Sequence, residues 1–156
     1  MASVLAMWQS LSRRPLGAWL FSKAVCWKAP YFRTISPRFV LLEPGRCEAI
    51  IHDRRSVHNH IGTVHAIALC NLAELTAGVM TDASLPPGMR WIPKGMSVQY
   101  LKKATGTLRG IATPAVEIVL SDAGYDLPVN VEVLNAAGEK VFAAQINMWL
   151  SPSPKR

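Results

Sequence analysis

The sequence predicts a single α+β domain: a strongly curved antiparallel sheet of about six strands wrapped around one long central helix, with an extra helical segment at the N-terminus. Three observations carry this. The run from about Val64 to Thr81 has no proline and no β-branched cluster and is apolar on every face, the pattern of a helix covered by other structure. Val129, Val131 and Val133 alternate with Asn130 and Glu132, as a half-buried antiparallel strand requires. The segments come in the order helix, two strands, long helix, about four strands, and so small a sheet covers a helix only by wrapping it.

Taken in order, Pro15 and Gly17 divide the first 28 residues into two helical pieces, since proline is tolerated in a first turn and disfavoured further in. This segment is expected to dock on the fold through Leu5, Trp8, Leu16, Trp19, Leu20 and Trp27. Arg38 to Glu43 and Arg46 to His52, joined by a Pro44-Gly45 turn, read as two short strands. After the loop Leu85-Pro86-Pro87-Gly88, Met96 to Lys103 and Thr105 to Thr113 read as strands flanking Ala104. Val129 to Asn135 and Lys140 to Leu150 flank a second turn, for which Gly138 is suited. Residues 115–127 fit a strand extension or a short helical excursion. Residues 1–150 form the domain, with 1–28 packed on it, and SPSPKR (151–156) is a disordered tail.

The 156 residues fit one domain with a real core. Lys and Arg number 17 against 10 Asp and Glu, a net charge of +7 that favours anionic partners. The basic residues come as pairs (Arg13-Arg14, Arg54-Arg55, Lys102-Lys103) without the motif of an RNA or DNA reader, so a phosphorylated cofactor or substrate is expected and nucleic acid is not. Cys26, Cys47 and Cys70 are widely spaced, lack CxxC pairing and read as reduced thiols, which points to the cytoplasm. No stretch reaches the roughly 18 apolar residues of a membrane span. No acid precedes Glu43, whereas Arg13, Arg14, Lys23, Lys28, Arg33 and Arg38 do. Such a start suits a mitochondrial transit peptide or a basic helix on a membrane surface; a docked helix is the preferred reading, with no membrane-surface contact.

The candidate chemistry lies in and before the central helix. Asn71, Glu74 and Gly78 fall on one side at i, i+3 and i+7, the only side with polar atoms, and Gly78 leaves room for a ligand or another backbone. No Lys or Arg lies within a turn of Glu74. A buried glutamate without a cation suits a general base or acid; it also suits pairing with a distant arginine or contact across an interface. His65 and Glu74 lie roughly 180° apart around the helix and about 13 Å apart along it, so a site using both must be built by two chains. The helix start offers the free N–H groups of Ala66 and Ile67 to an oxyanion or phosphate. His65 and Asn59 can position a carbonyl or a water, while Asn59 and Thr63 equally suit loop and helix caps. His58, His60, His65 and Glu74 could suggest a metal, but the spacing is common by chance and Glu74 lies far down the helix, so no metal is expected.

Asn59-His60-Ile61-Gly62-Thr63-Val64-His65, followed nine residues later by Glu74, resembles the N-x-x-G-T-x-H…D/E segment of hotdog-fold acyl-CoA thioesterases of the phenylacetyl-CoA type. AVCWKAPYFRTISPRF, the stretch from Asn59 to Gly78, and RWIPKGMSVQYLKKA are similar, more closely, to an uncharacterised hotdog subgroup, a domain of unknown function. The resemblance spans about Pro15 to Leu150. It implies an acyl-CoA thioesterase with Glu74 as base or nucleophile, the N–H of Ala66, after His65, as oxyanion donor, and Asn59 as orienting amide. It further implies a site between the subunits of a homodimer, possibly a dimer of dimers. Gly62, Thr63, Ile67, Asn71 and Gly78 would then contact substrate, and Lys102 and Lys103 the phosphates of coenzyme A, which enters as part of the substrate and not as a cofactor. Two departures stand out. Ala66-Ile67 replaces the usual Gly-Gly, and Tyr100-Leu101-Lys102-Lys103-Ala104 replaces Tyr-x-x-Pro-Ala. The first favours the rival expectation, a non-catalytic acyl-CoA or fatty-acyl binding protein.

Overall fold

The computed structural model describes residues 3–154. The N-terminal segment forms α1 (Val4–Leu11) and α2 (Gly17–Lys28), divided where the sequence predicted. Ser3 caps α1 by accepting the Ala6 N–H at 3.1 Å. The chain re-enters at Leu16, whose φ of 61° is left-handed. Gly17 lies against the end of α1 so closely that a Cβ there would stand 1.7 Å from the Leu11 carbonyl oxygen, so only glycine fits.

The docking contacts differ from the expected set. Of the six residues named, Trp8 is buried and Leu5 partly so, whereas Leu16, Trp19, Leu20 and Trp27 face outward. Phe21, Val25 and Cys26 hold α2 instead. Phe21 is fully buried, edge-on to Trp8 at 5.0 Å and to Phe39 at 5.2 Å, so one ring joins both helices to the sheet. The hydroxyl of Ser22, which donates to the Ala18 carbonyl, also accepts the Phe39 N–H at 3.0 Å.

A 3-10 turn (Pro30–Ile35) leads into β1 (Arg38–Glu43) and β2 (Arg46–Ile51), the predicted hairpin. The long helix α3 runs Ala66–Ser84, and the remaining strands are β3 (Met89–Tyr100), β4 (Leu108–Pro114), β5 (Tyr125–Leu134) and β6 (Lys140–Pro152). They form one six-stranded antiparallel sheet in the order β1-β2-β4-β5-β6-β3, curved around α3. Leu72 and Met80 of α3 meet Cys47, Ala49, Leu108, Val131 and Phe142 in a single core. Gly110 admits the helix closely, since a Cβ there would meet Leu72 at 2.9 Å. Thr76, Thr81 and Ser84 stay satisfied by donating to carbonyls one turn back, at 2.8, 2.8 and 2.7 Å.

Several boundaries depart from the sequence reading. The strand read from Met96 begins at Met89 and ends at Tyr100, leaving Leu101 to Lys103 outside it. It pairs with β6 and not with its neighbour across Ala104, because β4 is taken by β2 and β5. Residues 115–124 are neither strand nor helix, and β5 starts at Tyr125. Ser151 and Pro152, read as tail, are the last rungs of β6 opposite Arg90 and Met89, and the Ser153 N–H donates to the Gly88 carbonyl at 2.7 Å. The final residues 155–156 lie outside the described range.

Register fixes the faces of β3. Trp91, Pro93, Met96, Val98 and Tyr100 stand opposite Leu150, Met148, Ile146, Ala144 and Phe142, so all point to the helix side. A bulge at Lys94 keeps both halves in phase. Among the described residues, no helix is long and apolar enough to cross a membrane.

Candidate active site

The central helix is not covered on all sides. Its buried residues include Leu69, Leu72, Ala73, Thr76 and Met80, but Ile67, Cys70, Asn71 and Glu74 form a partly open strip. Strand β3 runs along that strip at the sheet edge. Tyr100 Oη lies 3.2 Å from Cys70 Sγ. Pro93 and Met96 flank Glu74. Trp91 covers Gly78, where a Cβ would meet its ring at 2.8 Å, and its Nε1 donates to Asp82 at 3.4 Å. Helix and edge strand are thus two walls of one groove. The hydrogen bond to Cys70, then burial, pushes the Tyr100 phenol up to about 12, so it stays protonated at neutral pH.

Glu74 opens on a cavity of about 230 Å³ lined by Pro93, Lys94, Gly95, Met96 and Ile146. It is half-buried where the sequence predicted burial, because β3 ends the sheet beside it. Among the described residues it has no hydrogen-bond or ion-pair partner: the one cation lining its cavity, Lys94, binds Asp126 at 2.9 Å and lies 4.8 Å over the Trp149 ring. The distant-arginine alternative is therefore not realised. A larger depression of about 440 Å³ lies between Val40, Ile50 and Leu134 near the β5–β6 turn. Its charged residue, Arg109, is 3.4 Å from Glu48, so it offers no unpaired catalytic group.

The loop before α3 is tightly organised. Asn59 Oδ1 accepts the N–H groups of Ile61 at 3.1 Å and Thr63 at 3.0 Å, and its Nδ2 donates to Thr63 Oγ1 at 2.8 Å. Gly62, at φ 78°, makes the turn between them. The capping reading of Asn59 and Thr63 holds for the loop, but the helix is capped by His65, whose Nδ1 accepts the Ile67 N–H at 3.0 Å. That bond fixes the tautomer, with any proton of a neutral ring on Nε2. The Ala66 N–H, by contrast, donates to no group among the described residues. It is a free amide at the positive end of a 19-residue helix.

This loop is fastened from below. Asp53 accepts the Gly106 N–H at 2.8 Å and hydrogen-bonds His58, and the Val64 N–H donates to Ala104 at 2.9 Å. The Gly106 N–H, with His58 second, holds the Asp53 carboxyl below its ordinary range. Because the folded value lies below the unfolded one, this stabilisation is complete above roughly pH 4 and is lost as pH falls through the folded value. Urea midpoints between pH 7 and pH 3 are expected to fall more steeply for the wild type than for Asp53→Asn.

The structure brings together some predicted site residues and separates others. Asn59, Gly62, Thr63, His65, Ala66 and Ile67 cluster at the helix start. Glu74 lies two turns on, about 12 Å along the axis from Ala66, so one chain does not join the two groups. Gly78 makes room for Trp91 and not for a ligand. Lys102 is held by Glu139 at 2.6 Å, while Lys103 is exposed. Pro93, Met96, Cys70 and Tyr100 were missed as groove residues. For the three on β3 the signal was a two-residue alternation interrupted once, at Lys94. The three histidines do not converge: His58 is tied to Asp53 and His65 to Ile67.

Comparison with known proteins agrees with this architecture. A protein solved as structural-genomics target APC5556 is 44% identical, with a TM-score of 0.82 over 96% of this chain and 99% of that one. PA5026 from Pseudomonas aeruginosa, described as a protein of unknown function and probable thioesterase, is 22% identical over 89% of this chain and 98% of its own, TM-score 0.75. The thioesterase HI1161 from Haemophilus influenzae is 12% identical over 81% and 85%, TM-score 0.70. Among curated proteins no match was found. The fold is the hotdog fold, and over residues 17–150 the sequence matches a family described as Domain of unknown function (DUF4442), to which this protein belongs.

Proposed function

We propose that the protein hydrolyses acyl-CoA thioesters at a site completed by a second copy of itself. The observation that carries this is the unpaired Glu74 carboxylate at a cavity, on a helix whose first amide, Ala66 N–H, is free. Glu74 takes a proton from water as its oxygen attacks the thioester carbonyl. The Ala66 N–H of the other copy donates a hydrogen bond to the developing oxyanion, the C–S bond breaks, and the proton passes to the departing CoA thiolate. Attack by the carboxylate itself, followed by hydrolysis of the anhydride, uses the same groups.

Distance along the helix supports a second copy, and the bare sheet edge suits its docking. Strand β3 is a 12-residue edge with unpaired backbone groups, and Ile92, Met96, Tyr100 and Leu101 are exposed on it or just beyond. A bare edge of that length associates readily. Asn59, locked by both its oxygen and its amide to the loop, acts by holding Gly62 to His65 in shape and so aiming Ala66. Lys103 is free to meet a CoA phosphate. PA5026 and HI1161, which share this fold, are described as probable thioesterase and thioesterase, and lend the reading support.

One observation favours a binding protein without turnover. Ile67 is 52% exposed at the helix start, beside the amide a thioester carbonyl would have to reach. Release of free CoA, separated by chromatography from short, medium, long and aryl acyl-CoAs, decides the matter when wild type is run beside Glu74→Ala. The expected result is hydrolysis by the wild type and a loss of about 100-fold or more in the variant. CoA binding without release from any acyl-CoA would establish the binding protein.

A further inference from the structure

The outer face of α2 carries a stripe that the fold leaves uncovered. Leu16, Trp19, Leu20, Lys23 and Trp27 recur at helical spacing, within about a third of the circumference. The opposite face, with Gly17, Phe21, Val25 and Cys26, is the one buried on the domain. Leu16 is 76% and Trp27 85% exposed, and Tyr31, just past the helix, is 60% exposed. Single exposed apolar residues are ordinary; two indoles and two leucines in one row form a patch, and patches mark contact surfaces.

The sequence around the stripe carries charge of one sign. Arg13 and Arg14 precede it, Lys23 lies within it with Nζ 5.5 Å over the Trp19 ring, and Lys28, Arg33 and Arg38 follow. No Asp or Glu occurs before Glu43, and among the described residues none of these six cations is ion-paired. Indole rings prefer the boundary between headgroups and acyl chains, and lysine and arginine beside them meet lipid phosphates. A second copy is a poorer occupant, because self-pairing of this face would set its cations against each other. The helix is already folded and fixed by Phe21, so docking requires no ordering of the chain.

We propose that the outer face of α2 seats the protein on an anionic lipid bilayer. This is independent of the groove and of its chemistry. The test is co-sedimentation of the full chain with vesicles of phosphatidylcholine alone and of phosphatidylcholine mixed with phosphatidylglycerol, for wild type and for Trp19→Ser/Trp27→Ser. Both rings are exposed, so the double variant is expected to keep the wild-type circular dichroism and urea midpoint. Wild type should pellet with the mixed vesicles only, release at high salt, and shift its tryptophan emission to the blue, while the variant stays in solution. Absence of pelleting, equal pelleting of the two proteins, or equal binding to neutral vesicles would overturn the proposal. So would a change of oligomeric state in the variant without vesicle binding by either protein.

Discussion

Ala66→Pro is expected to lower thioester turnover by roughly 100- to 1,000-fold while leaving α3 in place, the usual effect of removing one oxyanion donor. The substitution deletes the N–H of Ala66 and closes a ring on its nitrogen. Proline is at home at the first position of a helix, where that N–H has no partner within the helix, and the residue before it must be extended, which His65 already is at ψ 140°. Circular dichroism should be unchanged. Crossing this variant with Glu74→Gln tests the shared site directly. In a mixed dimer, the Ala66→Pro chain supplies an intact Glu74 and the Glu74→Gln chain an intact Ala66 N–H, so one of the two sites is whole. Random mixing makes about half of the dimers hybrid and should restore about a quarter of wild-type activity from two inactive preparations, by the stoichiometry of symmetric dimers. No restoration, with hybrids shown to form, would place Glu74 and its oxyanion donor on one chain.

Phe21→Ala is expected to destabilise the protein by about 3–5 kcal/mol. The ring is fully buried and makes edge-on contacts to Trp8 and Phe39, so its removal opens a cavity among α1, α2 and β1 that cannot collapse without moving two helices. Each aromatic pair also contributes about 0.5–1.5 kcal/mol beyond its area. Urea unfolding at one fixed protein concentration, needed because association would add to stability, should show a lower midpoint and an unchanged slope. An unchanged midpoint would mean that the N-terminal helices contribute nothing to the domain.

How much of this was readable from the sequence differs element by element. The β1–β2 hairpin was legible because Pro44-Gly45 marks a turn between two short apolar runs. The long helix was legible because its apolar run is uninterrupted, but the same run concealed its open side: Ile67, Cys70 and Asn71 look no different from residues facing a core until the sheet is seen to end at β3. The first half of β3 lay outside the strand read from Met96; it holds Pro93 and Gly95, residues disfavoured inside strands, which an edge strand and a bulge accept. The misassigned docking face of α2 has a similar cause. Tryptophan and leucine signal burial by composition, whereas the buried apolar side chains of the helix are Phe21, Val25 and Cys26. Glu74 stood out as the one acid in an apolar run, and its role as a free carboxylate at a cavity was inferable from that isolation. The commitment of His65 to the helix cap was not, because it depends on backbone angles that no spacing records.

The bulge at Lys94 has a consequence for how this chain can vary. Strand side chains alternate with a fixed parity, and one unpaired residue acts as a phase slip that carries Trp91 and Pro93 on one side of it, and Met96, Val98 and Tyr100 on the other, to the same wall. The lining of the groove therefore depends on the bulge as well as on composition. Many side chains could stand at position 94 without disturbing it, and its deletion would leave regular pairing with Met96 still opposite Ile146, whereas pairing the full stretch without the bulge would invert the downstream half, sending Met96 and Tyr100 to the outer surface and turning Ser97 and Gln99 toward the helix. The bulge, more than the identity of the residue in it, is what holds the two halves of this twelve-residue strand to one wall.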